Sequence, residues 1–252
     1  MKMLTALEAE QMKHRRRMLL LLPAALILFE FLWALWSLEP RKASDLAQGY
    51  LSSFYLFPIL NSLIYPIFLA VLVNRVCDME IKGDTFKLLY TLQDKKQFYN
   101  CKYLMALKYV ALSALGSWPI IWVTGRIYGF TDTLEPHMVL QLCLSTFIVS
   151  TLLLSIQQVL SLLSSNQILP LVAGLAGSFL SLFSMFFPPA AARLILWGYY
   201  GIFGFVWMDW DRSTRISTYY EQNFDWIGLL LFAVVSLIVY FVCRSIALRK
   251  EV

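Results

Sequence analysis

Residues 78–104 read DMEIKGDTFKLLYTLQDKKQFYNCKYL, a charged stretch that lies between two apolar runs of membrane-spanning length. Gly83 and Asp84 favour a turn and a helix N-cap, and residues 85–91 then favour a short helix. One face of that helix carries Thr85, Leu88, Leu89 and Leu92. A helix of about two turns is unstable alone, so either lipid headgroups or a groove on a partner protein must hold it.

The composition of the whole chain predicts a membrane protein. Of its 252 residues, 59% are hydrophobic and 15% are charged, whereas a soluble domain carries about a quarter charged residues. A helix needs roughly 20 apolar residues to cross the hydrocarbon core. Six segments meet this length: 18–38, 51–74, 103–125, 138–163, 169–187 and 226–243. We therefore predict an all-α polytopic membrane protein, with residues 1–252 forming a single transmembrane domain.

The positions of Lys and Arg predict the orientation, because these residues concentrate on the cytoplasmic side of membrane proteins. With both termini inside, fifteen of the 21 basic residues lie on the inner side, including those of residues 78–104. All eight Trp then fall at outer helix ends or in the outer loop, as in an interfacial aromatic belt. This asymmetry accounts for the net charge of +5, so no nucleic-acid partner is expected.

Residues 1–17, MKMLTALEAEQMKHRRR, precede the first apolar run. A helix here separates an apolar face from a charged face: Leu4, Leu7 and Met12 against Glu8, Glu10, Lys13 and Arg16. We interpret the segment as an interfacial helix at the inner membrane surface. The alternative is a basic tail that only sets the topology.

Residues suited to enzymatic chemistry are scarce in this sequence. The two histidines, His14 and His137, lie in the basic N-terminal segment and in an outer loop, so they supply no intramembrane metal site. The Walker A pattern G-x-x-x-x-G-K-[ST] does not occur, so we expect no ATP binding by a P-loop. The four cysteines lack C-x-x-C spacing. We predict that the chain is not an enzyme and binds no metal or cofactor itself.

Glu30 is an ionisable residue inside the first predicted span, where a charge is costly unless it faces protein or water or takes up a proton. It marks either a polar contact on a substrate path or between subunits, or a protonated or hydrogen-bonded carboxyl near the outer interface. Asn61 in the second span, with Gln157 and Gln158 in the fourth, favours hydrogen bonds between helices. Asn61 is also a candidate for the substrate path.

The fifth predicted span, LPLVAGLAGSFLSLFSMFF, carries small residues at a spacing of four. They form two rows, Ala173, Gly177 and Ser181 in one and Gly174 and Ser178 in the other. Such spacing lets helix backbones approach closely in a membrane. We predict that this span packs against protein and that these five residues form a subunit interface.

Residues 188–225 separate the fifth span from the sixth. Their apolar part, 190–208, approaches membrane length, but two prolines directly precede it and three glycines interrupt it. A seventh span here would move the basic C-terminal residues to the outer side, against the charge rule. We predict an outer re-entrant or interfacial hairpin, with seven spans as the alternative.

Taken together, these features resemble the ABC-2 type exporter permeases. The resemblance rests on the six spans, the amphipathic N-terminal helix, the outer hairpin before the last span and the charged loop after the second span. That loop carries Arg75, Glu80, Gly83, Thr85, the Leu88-Leu89 pair, Lys95-Lys96 and Lys102. Within the family, GDTFKLLYT and WGYYGIFGFVWMDWD are most similar to the lantibiotic (bacteriocin) immunity permeases, including relatives of the bacitracin-resistance permease.

The resemblance implies that a separate ABC ATPase, in two copies, binds ATP and Mg²⁺ and pushes on a coupling helix within a cytosolic coupling region, residues 78–100. It implies a second permease subunit, identical or different, and a location in the bacterial plasma membrane in contact with membrane lipid. The implied ATPase-docking residues are Glu80, Gly83, Asp84, Thr85, Phe86, Leu88, Leu89 and Leu92. Immunity permeases expel antimicrobial peptide from the membrane.

A cationic peptide would suit an outer surface with aromatic and acidic residues. The possible substrate path therefore comprises Glu30, Asn61, Trp207, Asp209 and Asp211. Two alternatives stay open: export of another drug or of an envelope lipid, and a peptide-sensing membrane protein that does not transport.

Overall fold

The computed structural model describes residues 3–40, 42–83, 86–164, 166–213 and 216–249. Most of these residues are helical. The helices are α1 (Met3–Arg16), α2 (Leu21–Ser37), α3 (Ala43–Leu46), α4 (Gly49–Lys82), α5 (Phe86–Leu92), α6 (Lys95–Tyr128), α7 (Pro136–Leu163), α8 (Ile168–Ser184), α9 (Pro189–Ala192), α10 (Tyr199–Ile202) and α11 (Trp226–Leu248). A 3₁₀ turn, Leu196–Gly198, precedes α10, and two strands, β1 (Val206–Asp211) and β2 (Ile216–Glu221), precede α11.

Within the described ranges, four helices are long and apolar enough to cross a membrane: α4, α6, α7 and α11. Helices α4 and α6 have 34 residues each. At a rise of 1.5 Å per residue they are roughly 50 Å long, so they extend beyond a hydrocarbon core of about 30 Å. Helices α2 and α8 are apolar but have 17 residues each. They coincide with the first and fifth predicted spans, and the six-span count stays a prediction.

The segment 188–225 departs from the all-α prediction because it ends in a β-hairpin. Strands β1 and β2 pair antiparallel, with Val206 opposite Glu221 and Asp211 opposite Ile216. All of residues 190–208 are described, and no helix or strand among them exceeds six residues, so no seventh spanning helix forms there. The glycines disfavour a continuous helix, and the aromatic and β-branched residues of β1 favour a strand. The fold is therefore α-helical with one β-hairpin.

Helix α7 lies at the centre of the bundle, where it packs against α4, α6 and α11. Helix α8 packs on α4, and α2 packs on α6. The buried apolar side chains form two clusters. The first includes Leu26, Tyr65, Val110 and Val149, and the second includes Ala34, Phe57, Ile120 and Leu142. Along α2, α4, α6 and α7, the first cluster therefore lies toward α1 and the second toward the β-hairpin.

The glycines of α8 are buried within the chain itself. A Cβ added to Gly174 would lie 2.4 Å from the Cβ of Ala70 and 2.9 Å from the carbonyl oxygen of Pro66, both in α4. A Cβ added to Gly177 would lie 2.2 Å from Nε1 of Trp197. Glycine is therefore needed at both positions for close contact with other parts of the same chain.

The serines of α8 lie on the same buried face. Ser178 donates a hydrogen bond to the carbonyl of Leu63, and Ser181 donates to the carbonyl of Trp197 at 2.6 Å. Ala173 is half-buried. The small-residue rows are therefore packed against other parts of the same chain, and the subunit interface stays a prediction. Spacing alone shows that a close contact forms, but it does not show with which helix.

Candidate functional site

Helix α5 connects the two longest helices, α4 and α6. Leu88 and Leu92, one helical turn apart, are each 61% exposed. Leu89 is half-buried and packs against the first apolar cluster. The free apolar face of α5 therefore consists of Leu88 and Leu92, whereas Leu89 holds the helix against the protein.

The structure separates the other predicted docking residues. Gly83 is exposed at the end of α4. Asp84, Thr85 and the side chain of Phe86 lie outside the described residues. Glu80 is 2% exposed and faces the protein interior, so it can act on a docked partner only through its neighbours.

Glu80 belongs to a group of four charged side chains, three of them buried and one, Lys13, half-buried. Its Oε2 accepts a hydrogen bond from Nζ of Lys102 at 2.6 Å, and its Oε1 accepts one from Nζ of Lys13 at 3.1 Å. Nζ of Lys13 also donates to Oε1 of Glu10 at 2.8 Å. Nζ of Lys102 donates in addition to the carbonyl oxygen of Val76 at 2.8 Å. We call Glu10, Lys13, Glu80 and Lys102 the ion-pair cluster.

The ion-pair cluster joins three helices. Glu10 and Lys13 belong to α1, Glu80 to the last turn of α4 and Lys102 to α6. Two positive and two negative charges balance, as burial of charge requires. Helix α5 lies between α4 and α6 in the chain. These bonds therefore hold the end of α4 to α6, which together form the base of α5, and they connect this base to α1.

The titration behaviour of the groups on α1 fits this arrangement. Burial alone would raise the pKa of Glu10, but the ammonium groups of Lys102 and Lys13 outweigh it and lower the pKa overall. Burial alone would lower the pKa of Lys13, but Glu10 and Glu80 raise it overall. Burial lowers the pKa of His14 to about 4, although the carboxylate of Glu10 opposes the shift. The imidazole is therefore neutral beside two charged pairs.

The sequence places Glu8, Glu10 and Lys13 on the charged face of α1, and in the structure Glu8 is exposed whereas Glu10 is buried and Lys13 is half-buried. Ala6, Glu10 and His14, spaced by four, are at most 3% exposed, whereas Met12 is 64% exposed. The physical reason is that Glu80 and Lys102 supply matching charges inside the protein. The available signal was the i, i+3, i+4 spacing of Glu10, Lys13 and His14, which places all three on one helix face.

Glu30 lies deep in the bundle. It is 0% exposed, and neither carboxyl oxygen has a hydrogen-bond partner in the part of the chain that the structure describes. On α2 it lies between Leu26 of the first apolar cluster and Ala34 of the second. Asn61 holds the corresponding place on α4, and its Nδ2 donates to Oγ1 of Thr146 on α7 at 3.1 Å.

Helix α6 contributes Ser117 at the same level. Ser117 is 1% exposed and lies between residues of the two apolar clusters. We call Glu30, Asn61, Ser117 and Thr146 the polar layer. Two members of the predicted substrate path, Glu30 and Asn61, therefore share one level of the bundle.

The other three members of that path lie apart, on the β-hairpin. Trp207, Asp209 and Asp211 alternate along β1 and therefore share one face of it. Trp207 is 54% exposed and Asp209 is exposed. Asp211 accepts hydrogen bonds from the backbone and hydroxyl of Ser213, so it also holds the turn.

The opposite face of the hairpin anchors it to the bundle. The ring of Tyr219 lies 5.6 Å from that of Tyr55 in α4, and the backbone N–H of Tyr219 donates to Oε1 of Gln48 at 2.7 Å. Val206 of β1, on the same face, is 5% exposed and belongs to the second apolar cluster. The face with Trp207 and Asp209 is consequently left available to a ligand.

Comparison with known proteins assigns the chain to a family. The model of the family described as ABC-2 family transporter protein matches residues 6–181, which is more than half of the chain. This region includes α1, the ion-pair cluster, α5 and the polar layer. No curated protein matches the chain. Family membership implies a membrane permease component of an ABC transporter, with an ABC ATPase as its partner. The chain belongs to the ABC-2 family of transporter proteins.

Proposed function

We propose that this permease, in a bacterial plasma membrane with both termini cytoplasmic, is driven by a separate ATPase subunit that docks on α5. The observation that carries this proposal is an exposed pair of leucines on a helix with a rigid base. Leu88 and Leu92 are open to a partner, and the ion-pair cluster bonds the flanking helices α4 and α6 to each other and to α1.

Through this base, the docked ATPase would transmit its movement from α5 to the rest of the permease. A push on α5 cannot be absorbed locally, because Glu80 and Lys102 are held 2.6 Å apart at its base. The force is therefore passed to α4 and α6, whose opposite ends reach the hairpin side of the bundle. Movement of such helices past each other is a common switching motion. ATP and Mg²⁺ belong to the ATPase in this scheme.

Replacement of Leu88 and Leu92 by Asp tests the docking step. Burial of each leucine contributes roughly 1.5–3 kcal/mol, so the double variant should lose the co-purified ATPase. The matched control is Leu88→Met with Leu92→Met, which keeps apolar side chains of similar volume and should retain it. If the Asp variant keeps the ATPase, α5 is not the docking element and its leucines rest on lipid.

We further propose that the substrate is a membrane-inserted cationic peptide of the lantibiotic type. The support is the outward face of β1, where the aromatic ring of Trp207 and the carboxylate of Asp209 lie on the same side. Aromatic rings take up apolar side chains and cations, and carboxylates attract the peptide's positive charges. In this scheme the chain pairs with a second permease, identical or different, and with two ATPase copies, and the complex protects the cell.

Asp209→Asn together with Trp207→Ala tests the substrate class. Cells that express the complete transporter should lose resistance to a cationic lantibiotic, while the ATPase still co-purifies. Asp211 is left unchanged in this variant because it holds the turn. Unchanged resistance to the peptide, with altered resistance to an uncharged drug or altered export of an envelope lipid, would replace the peptide proposal. Binding of peptide without any ATP-dependent clearance would favour a sensor that does not transport.

A further inference from the structure

A cavity of about 370 Å³ lies where α1 turns into α2 beside α6. Its lining is divided by chemistry. Arg15, His14 and Lys108 supply nitrogen-bearing groups, and a run of apolar residues, 18–21, supplies the rest together with Tyr109 and Gln11. The described lining residues include no carboxylate.

The basic part of the cavity has groups that are free to bind. Arg15 and Lys108 are exposed, on α1 and α6 respectively. Lys108 uses one of its three donors on Oε1 of Gln11 at 3.1 Å, which leaves the others available. His14 is 0% exposed; its Nε2 lies 3.7 Å from Oε2 of Glu10, beyond hydrogen-bond distance, and neither ring nitrogen has a hydrogen-bond partner among the described residues. It is a buried polar side chain at the cavity wall with a donor still to satisfy.

The apolar part of the cavity faces outward. Met18, Leu20 and Leu21 are each at least 58% exposed, while Leu19 is 2% exposed and closes the floor. Met18 has φ of 51°, in the left-handed region that a side chain rarely adopts. That backbone conformation makes the sharp turn between α1 and α2. The turn keeps the apolar rim of the cavity, Met18, Leu20 and Leu21, beside its basic side chains.

We infer that this cavity, which we call the elbow cavity, binds an anionic phospholipid, with the phosphate between Arg15 and Lys108 and an acyl chain along Met18, Leu20 and Leu21. Charge complementarity selects the headgroup, since two cations face an opening without a lining carboxylate. The apolar rim selects a lipid over a free phosphate ion. Basic pockets next to membrane helices bind anionic lipids in this way.

The neutral state of His14 fits the same ligand. A neutral imidazole has one N–H to donate, and a phosphate oxygen is an acceptor for it. Because Arg15 lies on α1 and Lys108 on α6, one bound phosphate would tie the two helices together at the cavity, a turn away from the ion-pair cluster. The inference concerns binding alone, so it does not depend on the substrate or on docking at α5.

Lipid retention by the purified protein tests the inference. The protein is exchanged into detergent with phosphatidylglycerol or with phosphatidylcholine at equal concentration, and bound lipid is counted by native mass spectrometry. We expect retention of phosphatidylglycerol by the wild type and at least a fivefold loss in Arg15→Gln/Lys108→Gln. The matched control, Lys96→Gln/Arg249→Gln, removes two exposed charges elsewhere and should retain the lipid as the wild type does.

A second measurement locates the lipid. Phosphatidylglycerol with a photoreactive acyl chain should crosslink within residues 18–21 and 104–109, and excess inorganic phosphate should reduce this crosslinking by less than twofold. Equal retention of the two lipids, or equal retention by the wild type and Arg15→Gln/Lys108→Gln, would overturn the inference. Crosslinks spread over α8 and α11 would show ordinary annular lipid instead, and full displacement by phosphate would show an anion site without a lipid.

Discussion

Glu80 and Glu30 are both buried glutamates in the same membrane protein, and their surroundings are opposite. Glu80 is 2% exposed and has the ammonium groups of Lys102 and Lys13 at 2.6 and 3.1 Å. Glu30 is 0% exposed, and the described residues offer its carboxyl no hydrogen-bond partner. A buried carboxylate is stable only when it is paired, and an unpaired carboxyl is stable only as the neutral acid.

The comparison separates two uses of an acidic residue in one bundle. At Glu80 the charge is retained, and three helices are bonded together through it. At Glu30 the carboxyl is enclosed without a partner among the described residues, so we expect the neutral acid, and ionisation would require water or a cation to enter the polar layer. The ion-pair cluster thus holds α1, α4 and α6 together. In the polar layer, by contrast, the charge of Glu30 can change only when the bundle opens.

The largest effect is expected for Glu80→Gln. The amide leaves the ammonium groups of Lys102 and Lys13 without their charged partner, and breaking a buried pair in this way costs roughly 3–5 kcal/mol. The midpoint of thermal unfolding in detergent should fall by about 10 °C for a chain of this size. Glu8→Gln, which changes an exposed glutamate of α1, is the control and should leave the midpoint within about 1 °C. A similar thermal midpoint for both variants would mean that the ion-pair cluster does not hold α1, α4 and α6 together.

The helices that carry the two glutamates could be predicted from the sequence, but the pairing of Glu80 with Lys102 and Lys13 could not. The apolar runs predict the four described helices that are long and apolar enough to cross a membrane, and the turn at Gly83 predicts α5, because hydrophobic periodicity and turn residues are local signals. The partners of Glu80 lie 22 and 67 positions away in the chain. Local patterns carry no information on such contacts, and the family resemblance places Glu80 among the docking residues without showing these partners.

The small residues of α8 and the hairpin show the same limit. Spacing by four predicted a close contact at Gly174 and Gly177, yet only the tertiary structure shows that Ala70 and Trp197 fill it. The glycines within 190–208 and the prolines just before it predict an interruption, but the antiparallel pairing of β1 with β2 joins residues five to fifteen positions apart. A propensity for strand is weak evidence until a partner strand exists.

A smaller effect is expected from pH, through His14. Its pKa of about 4 lies below the ordinary value of 6.5, so the unfolded chain binds a proton between these pH values and the folded protein does not. Stability is therefore complete above about pH 6.5 and decreases as the pH falls toward 4, by up to about 3 kcal/mol. The lowered pKa of Glu10 acts in the same direction. Thermal midpoints at pH 7.5 and pH 5 measure this decrease.

His14→Asn is the control for the pH effect. Asparagine is neutral at both pH values and of similar size. The thermal midpoint of the variant should therefore fall less between pH 7.5 and pH 5 than that of the wild type. An equal loss in both proteins would assign the pH dependence to other groups.

Asp132 provides an intermediate case between the two glutamates. Its carboxylate accepts hydrogen bonds from the backbone N–H groups of Tyr50 and Leu51, at 2.8 and 3.2 Å, and so caps the start of α4. Asp132→Ala should cost about 1 kcal/mol, as the loss of a helix cap does. Asp132→Asn keeps an acceptor oxygen and should cost less. If both Asp132 variants lose as much free energy of unfolding as Glu80→Gln, the carboxylate of Asp132 has a charged partner. Asp132 would then not be intermediate between the two glutamates.

The smallest effect is expected for Glu30→Gln, although Glu30 is the more deeply buried of the two glutamates. If Glu30 is the neutral acid, the amide has almost the same size and no charge is gained or lost, so the free energy of unfolding should change by less than about 1 kcal/mol. The thermal midpoint is measured beside that of Glu80→Gln under the same conditions. A midpoint raised by about 10 °C would mean that the wild-type carboxyl is ionised and costly, because the amide then relieves an unpaired buried charge. A midpoint lowered by that amount would mean that a cation pairs with Glu30, and the two glutamates would then play the same structural part.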